Sequence, residues 1–168
     1  MFERFGEFGS AEELNRAAEA QKAEGDEQAL VSIAKENGID AEDAEDFMDD
    51  AVEVFTTPLM AATGKLKIES EDIGIDGILS DWKDQIIEMC MDNKDMQIAV
   101  RRKGKSLAEC MARLIRFAFE NKVLVSDKIV SITKVTHNGK EEAMRKPLYL
   151  GIPNRTQAEK IIKEYYLG

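Results

Sequence analysis

The chain has 168 residues, and 23 Lys and Arg against 33 Asp and Glu give a formal charge of −10. Hydrophobic residues, at 43%, can supply the core of one domain or two very small ones, and 33% charged residues falls short of a disordered composition. There is no run of about 18 apolar residues, and the Met1 to Ser10 segment is acidic and aromatic; we therefore expect no membrane span, no secretory signal and a cytoplasmic location.

Capped helices are predicted along most of the chain. Ser10-Ala-Glu-Glu13 reads as a capping box opening a helix over 11–23 that Gly25 ends. Asp26 is placed to cap a second helix closing at Asn37-Gly38, and Asp40 a third, with Asp43 in its first turn. Leu30, Ile33 and Ala34 share one face of the second, while Ala44, Phe47, Met48, Ala51, Val52 and Phe55 form a stripe on the third. Thr57-Pro58 resembles an N-cap with Pro at the first helical position, and the short helix that follows is predicted to stop at Gly64. Residues 65–76 then break helical periodicity and read as a connecting segment, between an acidic helical region at 1–64 and a basic, mostly helical region at 77–168.

In the second region, Ile78, Leu79, Trp82, Ile86, Met89 and Cys90 mark an amphipathic helix within 75–91, with Trp82 in the core. A second capping box, Ser106 to Glu109, opens a helix to Asn121 with the longest apolar face in the chain: Leu107, Cys110, Met111, Leu114, Ile115, Ala118 and Phe119. From Ser126 to Thr136 helix and strand compete, because a cap precedes a β-branched run and His137-Asn-Gly-Lys140 is a hairpin-type turn. A short strand is expected within 148–152 and a final helix over 155–167, whose Ile161, Ile162, Tyr165 and Tyr166 could form a homodimer face. The expected fold class is therefore mainly α, a compact multi-helix protein with at most a small β element near residues 129–152.

Motifs for catalysis are absent. No phosphate loop, dinucleotide fingerprint, zinc-protease motif or nucleophile elbow occurs, and Lys103-Gly-Lys-Ser106 lacks the earlier glycine and strand of a phosphate loop. His137 reads as a solvated turn residue. Cys90 and Cys110, with no second pair and one histidine in the chain, can build neither a disulfide framework nor a zinc site and read as buried thiols. The acidic run 40–50 lacks the alternating ligands and central glycine of a calcium loop. No enzyme activity, cofactor or metal is expected.

Charge carries the functional signal. Residues 1–92 hold 7 basic and 25 acidic side chains, a net of −18, whereas residues 93–168 hold 16 and 8, a net of +8. Such asymmetry fits either different partners for the two parts or their docking on each other. Asp40, Glu42, Asp43, Glu45, Asp46, Asp49 and Asp50 lie on or beside the third helix. Together they are a solvated acidic face or a surface that occupies a basic groove made for phosphates. Arg101, Arg102, Lys103 and Lys105, joined by Arg113 and Arg116 on the following helix, are ordinary surface cations or a patch contacting phosphates.

The segment Lys94 to Arg116, with its Lys105-Ser-Leu107 and Cys110, continuing through Phe117 to Val130 with the capped Ser126-Asp127, resembles the core of the PcfK-like proteins of mobile elements in Firmicutes. That broad group includes Cas9-inhibiting anti-CRISPR proteins. The resemblance implies an inhibitor carried on a mobile element or phage and acting in the bacterial cytoplasm on Cas9 or its complex with guide RNA. In that reading the acidic half competes for a nucleic-acid-binding surface and the basic half could contact double-stranded DNA. The alternative it implies is a DNA-binding accessory protein of a conjugative or plasmid element.

Overall fold

The computed structural model describes residues 5–168; Met1 to Arg4, part of the expected acidic region, lie outside them. The architecture is mainly helical, as its patterning dictates. The helices are α1 (Ala11–Glu24), α2 (Glu27–Glu36), α3 (Ala41–Met48), α4 (Pro58–Ile73), α5 (Ile78–Asp92), α6 (Lys94–Arg101), α7 (Leu107–Glu120), α8 (Asp127–Ile132) and α9 (Arg155–Tyr166). Strands β1 (Val123–Leu124) and β4 (Tyr149–Leu150) form one antiparallel ribbon, and β2 (Lys134–His137) and β3 (Lys140–Ala143) a second.

Most helix starts follow the predicted caps. Ser10, Asp26, Thr57, Ser106 and Ser126 each accept a backbone amide of the first turn, and Asn154 and Gln157 form a complete capping box for α9. The box at Ser10 is modified: the Glu13 carboxylate reaches past the cap to the Gly9 amide, 2.7 Å away. At Asp40 the expectation fails. Its side chain makes no cap bond and pairs instead with Lys67 at 3.5 Å.

Two boundaries differ from the sequence reading. The third helix ends at Met48, before Ala51 and Val52, because Asp50 turns left-handed (φ 59°). The Ala51 amide then bonds the Asp46 carbonyl at 2.8 Å and the Asp50 amide the Phe47 carbonyl, the Schellman pattern usually built on glycine. Phe55 still reaches the core, from the irregular segment between α3 and α4 and edge-on to Phe47. Helix α4 does not stop at Gly64 but runs to Ile73, so residues 65–73 of the expected connecting segment are helical. Gly64 serves close approach instead. A Cβ there would lie 2.3 Å from the Asn37 carbonyl oxygen, and one at Gly38 would lie 2.3 Å from the Gly64 oxygen.

Helix α4 therefore spans two apolar clusters. Ala61 joins Leu14, Leu30, Ile33, Phe47 and Phe55 in the N-terminal one. Ala62 and Leu66 join the larger one, which holds Trp82, Ile86, Leu107, Leu114 and the α9 residues Ile162, Tyr165 and Tyr166. The α9 face is thus occupied inside the monomer and is not open for a dimer, contrary to expectation, because it fills the groove beside α5, α6 and α7.

Both readings of residues 126–137 hold in part. One and a half turns of helix α8 give way at Thr133 to strand β2, and Asn138 and Gly139, both at positive φ, turn the hairpin. The segment from 119 to 152 adds little to the core, Val130 being its one fully buried large apolar side chain.

Candidate functional site

The acidic face is carried by α3. Glu42, Glu45 and Asp46 are exposed and Asp43 half-exposed, a distribution that follows from Ala44 and Phe47 facing the core. Neighbours three or four apart on a helix lie about 5–6 Å from one another at Cβ, so Glu42, Glu45, Asp46 and Asp49 form a row of like charges. Of the seven predicted acidic residues, Asp40 is paired with Lys67, and Asp50 with Lys22 at 2.5 Å. Lys22 also donates to the Phe47 carbonyl and lies over its ring, closing the C-terminal end of α3 with a cation. Glu42, Asp43, Glu45, Asp46 and Asp49 have no ion-pair partner among the described residues.

The basic patch is largely taken apart. Arg101 is fully buried at the end of α6, where its guanidinium donates to the Ala61 carbonyl at 3.2 Å and to Asn37 Oδ1. Burial lowers its pKa to about 10, against the pull of Glu7, Glu69 and Glu13, and it remains a cation at neutral pH. It is therefore not a phosphate contact, because it bridges α2, α4 and α6 inside the protein. Lys103 pairs with Glu13 at 3.5 Å. Lys105 donates to the Tyr165 carbonyl and sits 4.7 Å from the centre of that ring. Arg113 also lies over the Tyr165 ring, 4.8 Å from its centre, and reaches Glu109 at 3.5 Å. Only Arg102 and Arg116 of the six are exposed without a carboxylate partner among the described residues.

A polar centre that the sequence did not announce lies beneath this loop. Lys65 is fully buried, and its ammonium donates to Glu7 Oε1 at 2.6 Å and to the carbonyls of Arg102 and Lys105 at 3.0 and 2.8 Å. Glu69, one turn along α4, accepts the Leu107 amide at 2.8 Å at the start of α7. Burial raises the Glu69 pKa, opposed by the Leu107 hydrogen bond and by Lys65. A Lys and a Glu four apart read from sequence as a surface pair, and only tertiary packing buries them.

The second capping box is also rewired. Ser106 accepts from the Glu109 amide, but the Ser106 amide donates to the Tyr165 hydroxyl at 2.7 Å, and that hydroxyl lies 3.2 Å from Glu109 Oε2. Cys90 and Cys110 are buried, and burial pushes their thiols up to about 11 and about 12, far from thiolate chemistry. His137 is exposed in the β2–β3 hairpin. Among the described residues no group of three or more His, Cys, Asp or Glu side chains is placed to hold a metal ion, and no helix is long and apolar enough to cross a membrane.

The fold and surface define a mainly helical protein in which five carboxylates on and just after α3 have no ion-pair partner among the described residues. No family model, curated protein or solved structure matches the chain.

Proposed function

We propose that this protein is a non-enzymatic inhibitor of a Cas9-type nuclease, carried on a mobile element and acting in the bacterial cytoplasm. The observation that carries the reading is the five carboxylates on and just after α3, Glu42, Asp43, Glu45, Asp46 and Asp49, which have no ion-pair partner among the described residues. Nucleases of that type hold nucleic acid in strongly positive channels and read the short duplex motif through arginines. A rigid helix presenting carboxylates at regular spacing is attracted to such a channel and occupies volume the DNA needs. The resemblance of roughly residues 94–136 to PcfK-like proteins suggests the class of partner. Burial of both thiols, with pKa values pushed up to about 11 and about 12, speaks against either serving as a nucleophile.

Loss of Arg101 to the interior and pairing of Lys103 weaken the competing reading of a DNA-binding accessory protein. Titrating the protein into a Cas9 cleavage reaction, beside a gel shift of the same duplex at two salt concentrations, separates the two. Cleavage blocked while the duplex remains unshifted is the expected result. Intact cleavage with salt-sensitive duplex binding would replace the inhibitor with the accessory protein.

A further inference from the structure

A groove runs beside α5, closed on its other side by the start of α9 and the Pro153 segment before it. It consists of two hollows, of about 370 and about 300 Å³, which share Gln85, Glu88 and Arg155 in their walls. In the first, Ile78, 43% exposed, joins the buried Trp82 and Pro153 in an apolar floor. Met89 and Met96 do the same in the second. Asp81, Asp84, Glu88 and Asp92 follow at helical spacings of three and four along α5, so they form a single row that lines both hollows.

The charge of this groove is unbalanced. Five carboxylates and two cations line it, and both cations are already taken, Arg155 by Glu88 and Lys163 by Glu159. Asp84 pairs with the adjacent Lys83 at 3.1 Å. Asp81 and Asp92, one in each hollow, have no ion-pair partner among the described residues. Gln85 adds an acceptor between them. It is 8% exposed and its amide nitrogen donates to the Arg155 carbonyl at 2.9 Å, but its own carbonyl oxygen has no hydrogen-bond partner among the described residues. An acceptor left open in a groove wall favours an incoming N–H.

We propose that this groove binds an extended basic segment of a partner protein, with one arginine or lysine on Asp81 and a second on Asp92. The spacing follows from the helix. At about 1.5 Å of rise per residue the two carboxylates lie roughly 16 Å apart along α5, a length that about five residues of extended chain cover. The stem of the first cation lies on Trp82 and Ile78, as long basic side chains do on apolar surface, and a backbone amide between the two cations meets Gln85. Arg155 sets the pattern. Its guanidinium stands where the hollows meet and repels a cation placed midway, so the groove selects separated charges over a basic run. The groove borders the larger apolar cluster, whereas α3 packs on the N-terminal one, and the proposal does not rest on nuclease inhibition.

The probe is a short labelled peptide with two arginines about five positions apart and a leucine beside the first, titrated with the full chain by fluorescence anisotropy. Saturable binding is expected, and the unlabelled peptide should shift the emission of Trp82, the one tryptophan in the chain. Asp81→Asn and Asp92→Asn should each raise the dissociation constant by roughly two- to fivefold, and the double variant by roughly the product. Both side chains are exposed, and a thermal midpoint checks that each variant is folded. An isomer with its arginines adjacent should bind more weakly. Glu42→Gln with Asp46→Asn on α3 removes the same charge as the double variant and should bind the first peptide as the parent does. Absence of binding, indifference to both groove substitutions, equal binding of the isomer, or loss in the α3 variant would each overturn the proposal. Displacement of the peptide by an equal concentration of spermidine would overturn it too, making the groove a site for small cations. None of these outcomes bears on nuclease inhibition, which rests on α3.

Discussion

The ammonium of Lys65 donates to the carbonyl of Lys105 across 2.8 Å, from the middle of one helix to the loop that begins another. With Glu7 and the Arg102 carbonyl it fixes the loop between α6 and α7 from below. The cations of that loop therefore owe their positions to a buried charge on α4. Removing it strands Glu69 and two carbonyls. Lys65→Met should cost about 3 kcal/mol, in the range for breaking a buried ion pair by removing one partner. Urea denaturation measures this, and a loss below about 1 kcal/mol would mean that water replaces the ammonium.

Gly64 provides a test of sign. In an exposed helix interior, Gly to Ala stabilises by about 0.5–1 kcal/mol. Here the added Cβ meets the Asn37 carbonyl, so Gly64→Ala should destabilise by about 1–3 kcal/mol through overpacking. The thermal midpoint should fall. A rise would show that α2 and α4 can separate without cost.

Glu69 makes stability depend on pH. Its folded pKa is raised above the ordinary 4.5, so the folded state holds the proton more tightly than the unfolded state does. Its contribution is fully present below about 4.5 and is lost as pH rises through the folded value. Glu69→Gln keeps an acceptor for the Leu107 amide and removes the titration. The stability of the parent relative to this variant should therefore decline from pH 4 towards neutrality. A difference that grows with pH would reverse the sign assigned to the site.

Both thiols should be silent in the native protein. Cys90 and Cys110 are buried with pKa values pushed up to about 11 and about 12, so a disulfide reagent at neutral pH should react only at the rate of unfolding. Denaturant should release two equivalents, one for each cysteine. Rapid labelling of either in native conditions would place it at a dynamic opening.

Much of the helical frame was legible because local signals dominate it. Ser10, Asp26 and Ser106 cap where their spacing predicts, and Trp82, Leu107 and Leu114 are buried as their periodicity requires. Residues whose environment is set by distant segments were not legible. Gly64 looks like a helix stop until the Asn37–Gly38 turn is seen to rest on it. Arg101 looks like part of a surface cluster, yet its guanidinium is claimed by Asn37 and Ala61, more than 35 residues away in the chain. Phe119 extends the apolar face of α7 in sequence, but the buried part of that face ends at Leu114 and Phe119 is left in water. The acidic residues of α3 were legible as a surface, because a short helix with Ala44 and Phe47 inward has nowhere else to put them.

The most direct measurement compares the parent chain with a variant carrying Glu42→Gln, Asp43→Asn, Glu45→Gln, Asp46→Asn and Asp49→Asn in the Cas9 cleavage reaction. Relief of like-charge repulsion offsets the loss of Glu42 and Asp43 from the first turn, where they suit the helix dipole, and a thermal midpoint measured beside the cleavage assay separates loss of the surface from unfolding. We expect the parent to block cleavage and the variant to leave it intact, with unchanged helical circular dichroism. Full inhibition by the variant would contradict the account.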